Sequence, residues 1–107
     1  MNFYNEQVEQ DAINLPSKIR ARFLHLLERI EQVGALNEPH SKALGDGLFE
    51  IRAKGKEGIA RGMYCYQPNN RIMILHVFVK KTQKISKCDL EITRNRFRLV
   101  TGGKLWD

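Results

Sequence analysis

Apolar positions recur at helical intervals in the first third of the chain, at strand intervals through the middle, and at helical intervals again near the end. From Glu6 onward, Val8, Ala12 and Leu15 fall about one turn apart, with Glu6, Glu9 and Asp11 toward the end where acids favour a helix start. Pro16 stops this helix and also suits the first turn of another, so a second helix is expected to begin at residues 15–17. Ile19, Phe23, Leu26, Leu27 and Ile30 form its apolar stripe, and Gly34 ends it. The two read as a helical hairpin whose stripe needs a sheet to cover. His25, beside the stripe, reads as a helix-surface residue. Ahead of the hairpin, residues 2–5 read either as a short strand or as an extended entry.

Residues 37–47 contain Pro39, Gly45 and Gly47 with no sustained period and read as a loop. Residues 48–54 then alternate, with Phe49, Ile51 and Ala53 facing one way and Leu48, Glu50, Arg52 and Lys54 the other. After a turn at 55–58, residues 59–66 alternate again: Arg61, Met63 and Cys65 oppose Ala60, Gly62, Tyr64 and Tyr66. Gly62 inside a strand signals a bulge or a close backbone approach. Residues 67–70 form a turn rich in proline and asparagine. Residues 71–79 carry one charge and seven apolar side chains, which reads as a strand buried on both faces and as the centre of the sheet. Strict alternation there puts Ile72, Ile74, His76, Phe78 and Lys80 on one face, and Met73, Leu75, Val77, Val79 and Lys81 on the other.

Ser86 followed by Asp89 opens a last helix in the manner of a capping box, with Leu90, Thr93, Phe97 and Val100 on one face. Lys87, Arg94, Arg96 and Arg98 make the rest of it basic, the three arginines on its solvent side. Gly102 and Gly103 end it, and residues 101–107 read as a loose tail. The expected architecture is α+β: a helical hairpin on a three-stranded antiparallel meander, then a C-terminal helix. At 107 residues, one domain is expected to span the whole chain.

Composition adds little to this picture until charge is divided along the chain. Residues 1–47 hold five Lys and Arg against seven Asp and Glu, a balance of −2. Residues 48–107 hold thirteen against five, a balance of +8. A mildly acidic frame thus carries a basic second half, a pattern suited to a polyanion such as nucleic acid, although a solvated basic face is the plainer explanation. No apolar run approaches a membrane span and the N-terminus does not resemble a secretory signal, so a cytoplasmic protein is expected. Cys65 and Cys88 lie far apart and read as reduced thiols. His25, His40 and His76 have no carboxylate or thiol at a ligand interval, so no metal and no cofactor is expected. His76 reads either as a core imidazole satisfied by a carbonyl or as a titratable group held near Lys80 and Lys81.

Three stretches carry a resemblance to a known family: residues 44–52 (Leu-Gly-Asp-Gly-Leu-Phe-Glu-Ile-Arg), residues 61–64 (Arg-Gly-Met-Tyr), and residues 75–84 (Leu-His-Val-Phe-Val-Lys-Lys-Thr-Gln-Lys). The chain resembles the RelE/ParE superfamily of toxin-antitoxin toxins, and within it the phage-derived HigB-like branch. The resemblance covers most of the chain. It implies a RelE-like fold and an endoribonuclease that cleaves mRNA on the ribosome and inhibits translation. It also implies a cognate antitoxin, expected to be a helix-turn-helix protein. By the same resemblance, Arg52 and Arg61 match the strand arginines that would clamp a phosphate, with an ion pair of Arg52 to Glu50 or Glu57 as the plainer role.

Lys54, Lys80, Lys81 and Lys84 would hold substrate phosphates, and a lysine or His76 would act as base or acid. Tyr64 would stack on RNA, or else belong to the core. No His–Glu pair of the usual ribonuclease kind stands out. Two rivals from other classes are a ParE-like DNA gyrase inhibitor and a regulatory RNA-binding module without catalysis.

Overall fold

A computed structural model describes residues 1–34, 41–68, 71–80 and 85–101. Strand β1 (Asn2–Phe3) leads into α1 (Glu6–Ile13) and α2 (Ser17–Val33). Strands β2 (Ser41–Gly45), β3 (Leu48–Gly55), β4 (Gly58–Gln67) and β5 (Arg71–Lys80) follow, and α3 (Lys87–Thr101) closes the order. The α+β class and the RelE-like arrangement hold. The helical hairpin lies on one face of the sheet and α3 on the other.

Local chemistry explains the helix limits. The Asn5 side chain caps α1 by accepting from the Val8 N–H at 2.9 Å. Pro16 precedes the first turn of α2, and Gly34, at φ +95°, ends it with its N–H donating to the Ile30 carbonyl at 2.8 Å. Ile19, Phe23, Leu27 and Ile30 of α2 bury against Ile51, Ala53, Ala60, Tyr64, Ile72 and Ile74 of the sheet. His25 is exposed. On the opposite face Leu48, Cys65, Leu75 and Phe97 make a smaller core beneath α3. Gly62 permits the close approach its position signalled: an added Cβ would lie 2.5 Å from Phe23 Cζ.

The sheet departs from expectation in three ways. It has five strands in the order β1-β5-β4-β3-β2, so β4 is central and β5 lies one place out, covered by the parallel strand β1. The apolar run of β5 reflects cover on both faces, which does not require the middle position. Second, part of the expected loop is strand β2, joined to β3 through Asp46 and Gly47, both at positive φ. An Asp-Gly pair in that conformation is the turn that matches strand twist in a two-residue hairpin.

Third, β5 does not alternate strictly. Met63 pairs with His76 and Tyr64 with Ile74, so Leu75 is an extra residue at a bulge. Ile72, Ile74 and Val77 therefore face the hairpin, while Leu75 and His76 both turn toward α3. Arg96 stabilises the bulge by donating from Nη1 to the Leu75 carbonyl at 2.7 Å, with its guanidinium 5.0 Å from the Tyr4 ring centre. Arg96 thus faces the sheet, whereas Arg98 is exposed. Thr101, expected in a loose tail, is instead buried as the last residue of α3.

Candidate functional site

Cross-strand register assembles the basic residues into rows on the face that α3 partly covers. Glu50 pairs with Met63 and Met63 with His76; Arg52 pairs with Arg61 and Arg61 with Phe78; Lys54 pairs with Ile59 and Ile59 with Lys80. The Leu75 bulge decides the last member of each row, because it moves His76, Phe78 and Lys80 off the face occupied by Val77. Phe97 covers one end of this face, and the first turn of α3 reaches the end of β5.

At that junction Asp89 gathers three partners. His76 Nε2 lies 2.9 Å from Asp89 Oδ1, Lys80 Nζ lies 3.3 Å from Oδ2, and the Ser86 hydroxyl donates to Oδ2 at 2.6 Å. Ser86 also caps α3, its Oγ accepting the Asp89 N–H at 3.1 Å. Only half of the expected capping box forms, because the Asp89 carboxylate turns to the strand instead of the helix backbone. Burial disfavours ionisation of Asp89, but hydrogen bonds from Ser86, His76 and Lys80, together with the Lys80 charge, outweigh it and hold the carboxyl below its usual range. An ionised Asp89 only accepts, so His76 Nε2 carries the proton, and in neutral His76 the free lone pair lies on Nδ1. The His76 ring packs against Phe78 with centres 4.9 Å apart, which fixes its plane.

The next row is a charge cluster. Glu50, fully buried, receives Arg52 Nε on one oxygen and Arg61 Nη1 at 3.4 Å on the other. Arg52 keeps 22% of its side-chain surface exposed, whereas Arg61 keeps none. Burial lowers the pKa of Arg61; Glu50 opposes that shift and the neighbouring Arg52 adds to it. The alternative role considered for Arg52 therefore forms, although its carboxylate partner is buried and not at the surface.

Lys80 keeps 39% of its side-chain surface exposed while its ammonium pairs with Asp89, and Lys54 is exposed. Lys81 and Lys84 lie outside the described residues. Tyr64 points to the other face: it is buried beneath the hairpin, with its hydroxyl 2.9 Å from Ser41 Oγ and its ring stacked on Phe49. Burial drives its phenol pKa up, opposed by the Ser41 hydrogen bond. The even positions of β4 face α2, and the core role replaces stacking on RNA.

Two functional candidates escaped the sequence. Asp89 reads from sequence as a helix-cap partner, and only the return of α3 alongside β5 makes it the acid of a His–Asp pair. Glu50 reads only as a possible ion-pair partner of Arg52, on the strand face shared with Leu48, Arg52 and Lys54. Its signal was the arginine two positions on and another across the strand pair, which together favour one shared carboxylate.

A family model described as phage-derived protein Gp49-like (DUF891) matches residues 11–98. The chain belongs to the Gp49-like family. This is a family of RelE/HigB-like toxins from toxin-antitoxin systems, related to the RelE-like endoribonucleases, so a cognate antitoxin is the partner that membership points to. The matched span of the Gp49-like chain contains Glu50, Arg52, Arg61, His76, Lys80 and Asp89. No curated protein sequence matches the chain significantly. Among the described residues, no helix is long and apolar enough to cross a membrane.

Proposed function

We propose that this Gp49-like protein is a toxin that cleaves mRNA on the ribosome, with His76 as general base and the sheet face around Lys80 and Arg52 as the phosphate site. The observation that carries this reading is the 2.9 Å contact of His76 with Asp89, whose other carboxylate oxygen holds Lys80 Nζ at 3.3 Å. It supplies a base of defined tautomer next to cations, which is what transesterification of RNA requires.

In this scheme His76 Nδ1 takes the proton of a ribose 2′-hydroxyl as that oxygen attacks the adjacent phosphorus. The bond from phosphorus to the 5′-oxygen breaks, leaving a 2′,3′-cyclic phosphate and a 5′-hydroxyl once a proton is supplied to the leaving oxygen. Asp89 stabilises the imidazolium that forms. Arg52 and Lys80 offset the extra charge of the phosphorane, and Lys54, Lys81 and Lys84 hold flanking phosphates. Arg61 acts through Glu50 and Arg52 as a positioning residue. The helix hairpin and the α3 surface remain for the antitoxin.

The test is cleavage of ribosome-bound mRNA by His76→Ala. Loss of a general base lowers rate by about 10²–10⁴-fold. Asp89→Asn should lower kcat with little change in KM. Wild-type chain that leaves mRNA intact but blocks supercoiling by DNA gyrase would replace this reading with its rival.

A further inference from the structure

The cleft between α2 and the β3–β4 turn lies off the His76–Asp89 site, and of its lining only Lys54 enters the reaction scheme. It is open, about 550 Å³, and lined by Lys18 and Arg22 of α2 and by Lys54, Gly55, Lys56 and Glu57 at the β3–β4 turn. Four cations thus meet one carboxylate. Its walls are fixed: Arg22 Nη1 donates to the Lys54 carbonyl at 2.5 Å, and Gly55 lies so close to α2 that an added Cβ would sit 2.8 Å from Ile19 Cδ1. The first turn of α2 adds partial positive charge, since Pro16 at its N-cap offers no side-chain acceptor.

The cleft lies on the α2 side of the sheet, at the same end as the row that closes the proposed site, and the two share Lys54. Lys54 lines it and belongs to the row that runs through Ile59 to Lys80. Two strand spacings separate the Lys54 and Lys80 backbones, a distance of about 10 Å. Among the described residues no aromatic side chain lines the cleft, so they offer charge without a stacking platform for bases. Such a lining holds phosphates and reads no sequence.

We infer that this cleft is a second phosphate site, which grips the backbone of the single RNA strand beyond the scissile phosphate. The inference rests on the nuclease reading of the neighbouring face. An acidic protein segment could also answer four cations, but the shared Lys54, in one row with Lys80, favours the strand that already crosses Lys80.

The test uses Lys18→Gln/Lys56→Gln, two exposed positions outside the reaction scheme, in the full chain. Binding of uncleavable all-2′-deoxy single strands is measured against salt, with one strand long enough to leave the scissile site and one confined to it. Losing two phosphate contacts should reduce the slope of log affinity against log salt by about 1.4 on the long strand, at about 0.7 per contact. The short strand should be bound as by wild type. An unchanged slope on the long strand, with wild type still cleaving ribosome-bound mRNA, overturns the cleft assignment alone. Weakened antitoxin binding with unchanged RNA binding overturns it in favour of a protein ligand. A wild-type chain that neither binds nor cleaves RNA brings down the nuclease reading and this inference together.

Discussion

Gly62→Ala tests how tightly the hairpin is seated on the sheet that carries the site. The new Cβ would stand 2.5 Å from Phe23 Cζ, 2.9 Å from Cε1 and 3.0 Å from Ile51 Cγ2. Phe23 and Ile51 are both fully buried, so neither can swing into solvent. Relief requires the ring or the strand to move by close to an ångström. Overpacking of this kind costs about 1–3 kcal/mol. Reduced freedom of the unfolded chain returns about 0.4–1 kcal/mol at a glycine whose backbone angles suit alanine. The net is a loss of about 1–2 kcal/mol, or a Tm lower by about 5–10 °C for a domain of this size. Thermal melts followed by circular dichroism would measure it. Phe23→Leu, which shortens the clashing group, should be less damaging in the Gly62→Ala background than in wild type, giving a favourable coupling in the double-mutant cycle. A Gly62→Ala protein with wild-type Tm, or strictly additive effects of the two changes, would refute the packing argument.

Asp89 should shape the acid limb of stability. Its folded pKa lies below the unfolded value, so its contribution is present above the ordinary aspartate range and fades as pH falls through the depressed value. Asp89→Asn should flatten that limb in acid denaturation; an unaltered limb would show that the Ser86, His76 and Lys80 contacts add nothing. Arg96→Ala should destabilise the fold by about 1.5–3 kcal/mol in chemical denaturation, the range for a charge-assisted hydrogen bond, because it leaves the Leu75 carbonyl at the bulge without its donor. Association with the antitoxin should slow with added salt more than dissociation quickens, and Arg94→Gln/Arg98→Gln should reproduce part of that loss in stopped-flow mixing. Cleavage should survive EDTA at levels that leave ribosomes assembled, and activity restored specifically by zinc or manganese would overturn a reaction run on side chains alone.

Periodicity exposed the helices and the meander because each buries one stripe or one face, and burial is written into spacing. It could not reveal β2, whose Ser-Lys-Ala-Leu-Gly sequence is short and half polar and is held as a strand by its pairing with β3. Nor could it reveal the Leu75 bulge, since an extra residue inside a continuous apolar run leaves the run apolar. That bulge mattered most for the site. Strict alternation would place His76 with Ile72 and Ile74 against the hairpin, whereas the bulge turns it to Asp89. Charge counting located the basic half of the chain but not its order in depth. Arg52 and Arg61 look equivalent in sequence, and the fold buries one and leaves the other partly open around Glu50.

The central claim is that the His76–Asp89 pair drives RNA cleavage on a toxin fold. Its most direct measurement is single-turnover cleavage of mRNA on programmed ribosomes, comparing wild type with His76→Ala and analysing the product ends. Wild type should leave 2′,3′-cyclic phosphate and 5′-hydroxyl ends, and the folded variant should cleave about 10²–10⁴-fold more slowly. Cleavage by His76→Ala at the wild-type rate, or products ending in a 5′-phosphate, would contradict it.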